Sequence, residues 1–395
     1  MAKQKIYTFQ FGLLCFSSFL FFSSFNMIVP DLYDYLTSFG GGEYKGYVIS
    51  LFTITAGLSR PFSGKLSDTI GRVPVMIIGA GVCFVMGFLY PMLGSVWAFL
   101  LLRLFHGFST GFKPTGTAAY IADIVPPDRR GEAMGYSGFF GSLGMAAGPG
   151  IGPRITAAYG IDTMFYTSSI VALLSVVILI GMKETLTDKV KFRPSLLKVR
   201  KSEILEPRVF NPSLLFLLTS FSFGAALTIM PDLAVEVGYE EKDKGIFFTI
   251  FVFASLAARI LAGKTSDKYG RVIVLKYAAI AIVIADLMVA YTHTQGMFVA
   301  SSIAFGLAVG MNTPTIYAWT IDLSLEHARG KGLATMYIAL EIGIGLGAFI
   351  SGYIYSNEIE NIQTAFIVNA AMAAFAFIFL NFGLTWMRGF IKEPA

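Results

Sequence analysis

An apolar stretch at residues 97–124 carries Arg103, His106, Thr110, Lys113 and Thr117. At about 100° per residue these positions fall within roughly an 80° sector, so one face of an otherwise apolar helix is polar. Arg103 and Lys113 lie about 15 Å apart along the axis, which sets Lys113 near the middle of a segment long enough to cross a bilayer. An ammonium at that depth costs at least about 2.5–3.5 kcal/mol unless it is hydrated or paired. Proton exchange, ion pairing and anion binding are the chemistries open to such a stripe, and it is expected to face a water-filled cavity. Glu341 stands midway along a second apolar stretch, 331–355. A carboxyl there, poised between burial and a nearby ammonium, suits proton binding and release. Glu341 and Lys113 are expected to pair or exchange partners during a working cycle. Asp286 is the other acid deep in the C-terminal half. It lies nearer one end of its stretch, 272–292, so Glu341 is preferred as the functional carboxylate.

Further polar groups surround these. Asp31 and Asp34 follow Pro30, and Asp232 follows Pro231. They are read either as solvated helix ends or as external proton-entry and gating groups. Asn26 and Asn312 are candidates to line the cavity. Tyr136, Tyr317, Trp319 and Tyr337 are candidate walls for an amphipathic substrate, or packing and interface residues. Cys15 and Cys83 show neither metal-ligand nor disulfide spacing. His106, His293 and His327 form no ligand cluster. The chain has no P-loop and no HExxH. No cofactor, metal or catalytic group is expected, and enzyme or sensor functions are disfavoured.

The elements that must hold these groups are membrane helices. Of the 395 residues 55% are hydrophobic and 14% charged, against about 25% charged in a soluble domain. A soluble globule cannot hide so much apolar surface, and lipid removes the difficulty. Spans are expected near 8–30, 46–66, 73–93, 97–124, 131–158, 162–183, 211–232, 245–263, 272–292, 296–322, 331–355 and 362–387. Helices are required because bare backbone polar groups cannot face hydrocarbon, and the runs lack the alternation of a barrel. Residues 184–210 form a basic hydrophilic linker, with six spans on each side. The expected organisation is therefore a bundle at 1–183, a cytoplasmic linker at 184–210 and a second bundle at 211–395.

Basic residues gather on one side of these spans. Lys3, Lys5, Arg60, Lys65, Arg72, Arg129, Arg130, Lys183, the linker set, Arg259, Lys264, Lys268, Arg271, Arg329, Lys331, Arg388 and Lys392 share it, while the other side holds Lys45, Lys242 and Lys244. That asymmetry places both termini in the cytoplasm. It also accounts for the net charge of +5 without a nucleic-acid partner.

An offset of 199 positions superposes the halves. Arg60 falls on Arg259, GKLSDTIGRV at 64–73 on GKTSDKYGRV at 263–272, Asp123 on Asp322, and Arg130-Gly131 on Arg329-Gly330. Parallel six-helix repeats of this kind occur in transporters whose halves rock around a midplane site. Gly64 and Gly71 are expected to give a tight turn and close helix approach. Asp68 is expected against the positive N-terminus of a neighbouring helix. Arg72 is expected to pair with Asp123, and in the second copy, beside Asp267, Arg271 with Asp322.

The duplicated GKLSDTIGRV string resembles the signature of the major facilitator superfamily. RLFHGFSTGF at 103–112 resembles that superfamily's motif from proton-coupled exporters, with His106 where Gln is usual. GMAAGPGIGP at 144–153 resembles its antiporter motif, with Gly144, Gly148, Pro149 and Gly152 in place and Pro153 replacing the final Gly. The resemblance implies an all-α membrane protein of twelve transmembrane helices in two pseudo-symmetric six-helix bundles. It further implies a monomeric, multi-pass carrier in the cytoplasmic (inner) membrane, with the Arg–Asp pairs latching the cytoplasmic side. The implied partners are a small or amphiphilic substrate, protons and the lipid bilayer. The expected function is proton-coupled export of a drug-like compound by alternating access. A lipid or organic-anion carrier using Lys113, and proton-coupled uptake, are the alternatives.

Overall fold

The computed structural model describes residues 8–126, 129–199, 204–325 and 329–383, and the side chains of these except 131, 132, 260 and 329. Lys3, Lys5, Arg200, Lys201, His327, Arg388 and Lys392 lie outside the described residues. Every long element is a helix. α1 runs over Phe9–Met27 and, past a 3-10 turn at Val29–Asp31, is continued by Leu32–Ser38. α2 is Lys45–Ile70, α3 Arg72–Leu89, and α4 has two segments, Val96–His106 and Phe108–Ile124. α5 is Arg130–Tyr159 and α6 Ile161–Ile180. After the linker come α7 Phe210–Glu236, α8 Ile246–Tyr269, α9 Arg271–Ala290, α10 Gln295–Leu323, α11 Arg329–Tyr355 and α12 Asn361–Ile378.

Two expected boundaries move. Pro30 does not end the first span, because it occupies the opening turn of the 3-10 segment, where its missing N–H costs nothing. Pro231 lies inside α7, which continues to Glu236. Local chemistry fixes other ends. The Thr8, Ser95 and Thr294 hydroxyls accept from backbone N–H groups of the first turns of α1, α4 and α10. Gly71 and its repeat partner Gly270 adopt φ of +124° and +93°, which lets α2 and α8 turn directly into α3 and α9.

Nine helices among the described residues are long and apolar enough to cross a membrane. The expected spans that fall short are α2, α4 and α5. Gly107 interrupts α4, and Ser, Thr, Gly and Arg dilute the apolar content of the other two. Large apolar side chains such as Leu58, Leu101, Ile180, Leu261, Tyr277 and Phe375 remain exposed, as lipid-facing surfaces require.

The chain divides into two compact units. The first comprises Met1–Tyr44, Leu51–Ile204 and Glu240–Thr249; the second comprises Lys45–Ser50, Leu205–Tyr239 and Ile250–Ala395. The first turns of α2 and α8 are thus exchanged between the sequence halves. The first unit's core gathers Leu14, Cys15, Phe21, Met76, Cys83, Tyr120 and Leu179, and the second unit's gathers Leu215, Phe216, Leu275, Ile316, Met336 and Leu380. The linker is mostly exposed but touches the first unit at two points. Val190 N–H donates to the Thr69 carbonyl at 3.0 Å, and Leu196 packs with Leu66, Val75 and Phe112.

Candidate functional site

Glycine sets the geometry of α4. A Cβ at Gly107 would lie 2.1 Å from the Phe52 carbonyl oxygen of α2, and one at Gly111 would lie 1.7 Å from Ser59 Oγ. A Cβ on Gly79 of α3 would fall 2.4 Å from the Lys113 nitrogen. Such close approaches pack α2 and α3 tightly onto α4. Arg103, His106, Thr110, Lys113 and Thr117 are all buried.

Within that interior the charges find local partners. Lys113 Nζ donates to Ser18 Oγ of α1 at 2.8 Å and lies 5.6 Å from the Phe21 ring centre. No carboxylate among the first unit's described residues is within ion-pair distance of it. Arg103 Nη1 donates to the Tyr90 hydroxyl at 3.2 Å, and its guanidinium sits 4.9 Å from the Phe52 ring centre. The same hydroxyl is 3.2 Å from His106 Nδ1. Asn26 Nδ2 donates to the Phe22 carbonyl of its own helix at 2.8 Å.

The α5 motif forms a seam on α1. Cβ atoms at Gly144, Gly148 and Gly152 would lie 2.5, 2.6 and 2.0 Å from the carbonyl oxygens of Phe19, Ser23 and Met27. Pro149 and Pro153 sit inside the continuous α5, and Tyr136 on the same helix is exposed.

The second unit repeats the seam between α11 and α7. Cβ atoms at Gly343 and Gly347 would lie 2.3 and 2.0 Å from the Leu217 and Phe221 carbonyl oxygens. These glycines stand at the 199 offset from Gly144 and Gly148. Glu341 is buried two residues before the seam. Asn312 Nδ2 of α10 donates to Thr219 Oγ1 of α7 at 2.8 Å. The Tyr317 and Tyr337 rings meet edge to face at 5.4 Å, with Phe216 6.4 Å from Tyr317.

The duplicated signature makes two matched clusters. Arg72 Nε donates to Asp123 Oδ2 at 2.9 Å, and Arg271 Nε to Asp322 Oδ2 at the same distance. Arg72 also pairs with Asp68 at 3.2 Å, and Arg271 also pairs with Asp267. Asp68 itself does not cap a helix; its side chain is 73% exposed. Glu184 takes that place, accepting from the backbone N–H groups of Arg72 and Val73 at 3.1 and 3.0 Å. Gly64 gives no close approach, since a Cβ there would meet nothing within 4 Å.

At the opposite ends of the helices each unit holds a buried lysine. In the first, Lys244 pairs with Asp31 at 2.8 Å and with Asp34, while Thr156 Oγ1 donates to Asp31 at 2.6 Å. In the second, Lys45 pairs with Asp232 at 2.8 Å, and the Tyr355 hydroxyl donates to the same carboxylate at 2.9 Å. Asp31 is thus buried rather than a solvated helix end.

The Major Facilitator Superfamily profile matches residues 14–227 and 212–390. The chain belongs to this superfamily. The fold agrees: the human organic anion transporter MFSD10 superposes with a TM-score of 0.73 at 18% identity, covering 94% of this chain and 98% of that one. A D-xylose–proton symporter superposes with a TM-score of 0.76 at 18% identity, covering 94% and 97%. Among curated sequences, the multidrug resistance protein MdtG of Escherichia fergusonii is 27% identical over 386 residues, 91% of each chain. The multi-drug resistance efflux pump PmrA of Streptococcus pneumoniae is 29% identical over 355 residues, 85% of this chain and 88% of that one. The quinolone resistance protein NorA of Staphylococcus aureus is 24% identical over 360 residues, 89% and 91%. This superfamily member is a multi-pass membrane transporter of small molecules, and its family is not one of enzymes.

Several residues of these sites escape sequence reasoning. Tyr90 joins Arg103 to His106, yet nothing in its spacing marks it. Lys45 and Lys244 carry a usable signal, since they coincide at the 199 offset. Glu184 carries none, because its role comes from a linker folding back onto α3.

Proposed function

We propose that this chain is a proton-coupled exporter of small amphiphilic organic compounds, working by alternating access with both termini in the cytoplasm. The observation that carries this reading is one ionisable group buried midway along a membrane helix in each unit, Lys113 in the first and Glu341 in the second. Each costs at least about 2.5–3.5 kcal/mol at that depth, an expense suited to groups that handle protons or charged cargo. Three curated relatives named for drug resistance or efflux, and the α5 seam of Gly144, Gly148 and Gly152, support export over uptake. The two Arg–Asp clusters at one end of the helices and the two Lys–Asp clusters at the other suit alternating closure of two gates.

Glu341 is assigned the coupling proton. In proteoliposomes, Glu341→Gln is expected to abolish dye accumulation driven by a pH gradient while leaving the amount of folded protein unchanged. Undiminished accumulation removes Glu341 from the mechanism. A second reading is favoured by Lys113, which has a hydroxyl and a ring as its neighbours. An ammonium so placed suits an organic anion, and Lys113→Ala then weakens transport of anionic compounds selectively.

A further inference from the structure

Asp286 lies on α9, one turn before its end, with no exposed surface. Ser222 Oγ of α7 donates to Asp286 Oδ2 at 2.7 Å, and Asp286 Oδ1 has no hydrogen-bond partner. An ionised carboxylate offers about four acceptor sites and a full charge, and one hydroxyl answers neither demand. A protonated carboxyl needs far less from its surroundings. A metal ion is not served, because the two side chains offer too few oxygens for its shell.

Among the described residues, no compensating charge reaches this position from the packed helices α7, α10 and α12. α12 carries no titratable residue. The half of α10 before Asn312 carries none, and Tyr317 and Asp322 lie toward its other end. On α7, Asp232 is ten residues beyond Ser222, about 15 Å along the axis, and is held by Lys45. Glu236 lies farther still. On α9 itself, Lys276 is ten residues before Asp286, again about 15 Å away, with Arg271 and Tyr277 on the same side. Tyr291 and His293 follow the helix and are exposed.

The same stretch of α7 touches the candidate site. Thr219 accepts from Asn312, and Ser220 Oγ donates to the Leu340 carbonyl at 3.3 Å, beside Glu341. Thr219 and Ser222 are three residues apart, about 60° around the helix and about 4.5 Å along it. Asp286 therefore shares one polar turn of α7 with groups contacted by α10 and α11.

We propose that Asp286 is a second proton-binding site of this unit, carried as a neutral carboxylic acid and exchanging its proton with water by way of the polar turn of α7 at 219–222. On loading, an O–H bond of a hydronium ion breaks and its proton bonds to Oδ1, leaving water; on release the Oδ1–H bond breaks and the proton passes back to water as hydronium. The inference depends on the proposed proton coupling for the use made of the proton, but its presence and exchange are measured independently of any substrate.

The test is infrared spectroscopy of the full chain in lipid bilayers. Wild type is expected to show the carbonyl stretch of a protonated carboxyl at neutral pH, the band is expected to be lost in Asp286→Asn, and it is expected to shift on transfer to D2O. Ser222→Ala, which keeps the acid and removes its donor, is expected to move the same band, so the assignment survives if Asp286→Asn fails to fold. Absence of any band that these variants alter overturns the proposal by showing an ionised group. A band that ignores D2O overturns it too, by showing a sealed structural acid. If the band exchanges but a pH gradient drives no accumulation of a cationic dye such as ethidium, the export reading fails and the proton site stands.

Discussion

Lys244→Met is expected to destabilise the protein far more than removal of a surface charge. Lys244 and Asp31 have side-chain exposures of 7% and 2%, and their charged atoms are 2.8 Å apart. Loss of one partner strands the other in a poorly hydrated place, which costs about 3–5 kcal/mol. Two features bound that figure. Thr156 still donates to Asp31, which trims the cost. Asp34, 55% exposed, is hydrated by water and adds little. An estimate near the lower limit, about 3 kcal/mol, lowers the folded-to-unfolded ratio by more than about a hundredfold. The control is Arg154→Gln, whose ion pair with Asp243 has side chains 68% and 24% exposed; such pairs contribute below about 1 kcal/mol. Denaturant titration of the full chain in mixed micelles, followed by circular dichroism, gives both numbers. The double variant Asp31→Asn with Lys244→Met removes both charges and is expected to recover most of the loss. If Lys244→Met is no worse than Arg154→Gln, or the double variant is worse than either single, the ion pair is not what holds this end of the helices.

Gly152→Val is expected to abolish accumulation of folded protein, judged by size-exclusion elution from solubilised membranes, because its Cβ would lie 2.0 Å from the Met27 carbonyl oxygen. Gly135→Ala on the same helix, where a Cβ would meet nothing within 4 Å, is expected to be silent. Glu184→Ala is expected to cost about 1 kcal/mol through loss of the α3 cap, measured as a fall in the denaturant midpoint, while Asp68→Asn, exposed and uncapping, barely moves it.

The helical class and the repeat were legible because both are written in patterns that no packing detail can erase. Twelve apolar runs and an offset shared by charged and glycine positions survive any error of a few residues at a boundary. The matched pairs Arg72–Asp123 and Arg271–Asp322 were legible for the same reason, since the duplication tests each copy against the other. Direction was harder. Helical periodicity shows that Arg103, His106 and Lys113 share a face, but not whether that face meets water or protein. Gly79, Gly107 and Gly111 bring α2 and α3 onto α4, an effect that depends on which helices are neighbours. The same limit applied to Asp286. Its place nearer one end of its stretch led to Glu341 being preferred, whereas α7 covers Asp286 through a serine from a distant part of the chain.

The two buried lysines reconcile the charge asymmetry with the fold. Lys45, Lys242 and Lys244 are the basic residues expected on the side opposite the cationic loops. A lysine on that side needs a reason, because the distribution of Lys and Arg sets orientation. Lys242 is a surface residue beside Glu240. Lys45 and Lys244 stand at the 199 offset, each just at the start of a helix, and each reaches an aspartate that follows a proline, Asp232 after Pro231 and Asp31 after Pro30. The aspartates are offset by 201 positions, so the halves keep the pairing while the ends of α1 and α7 differ. In each pair the lysine comes from one sequence half and the acid from the other. The first turn of α2 therefore belongs to the second unit and that of α8 to the first, an exchange that neither half could make alone.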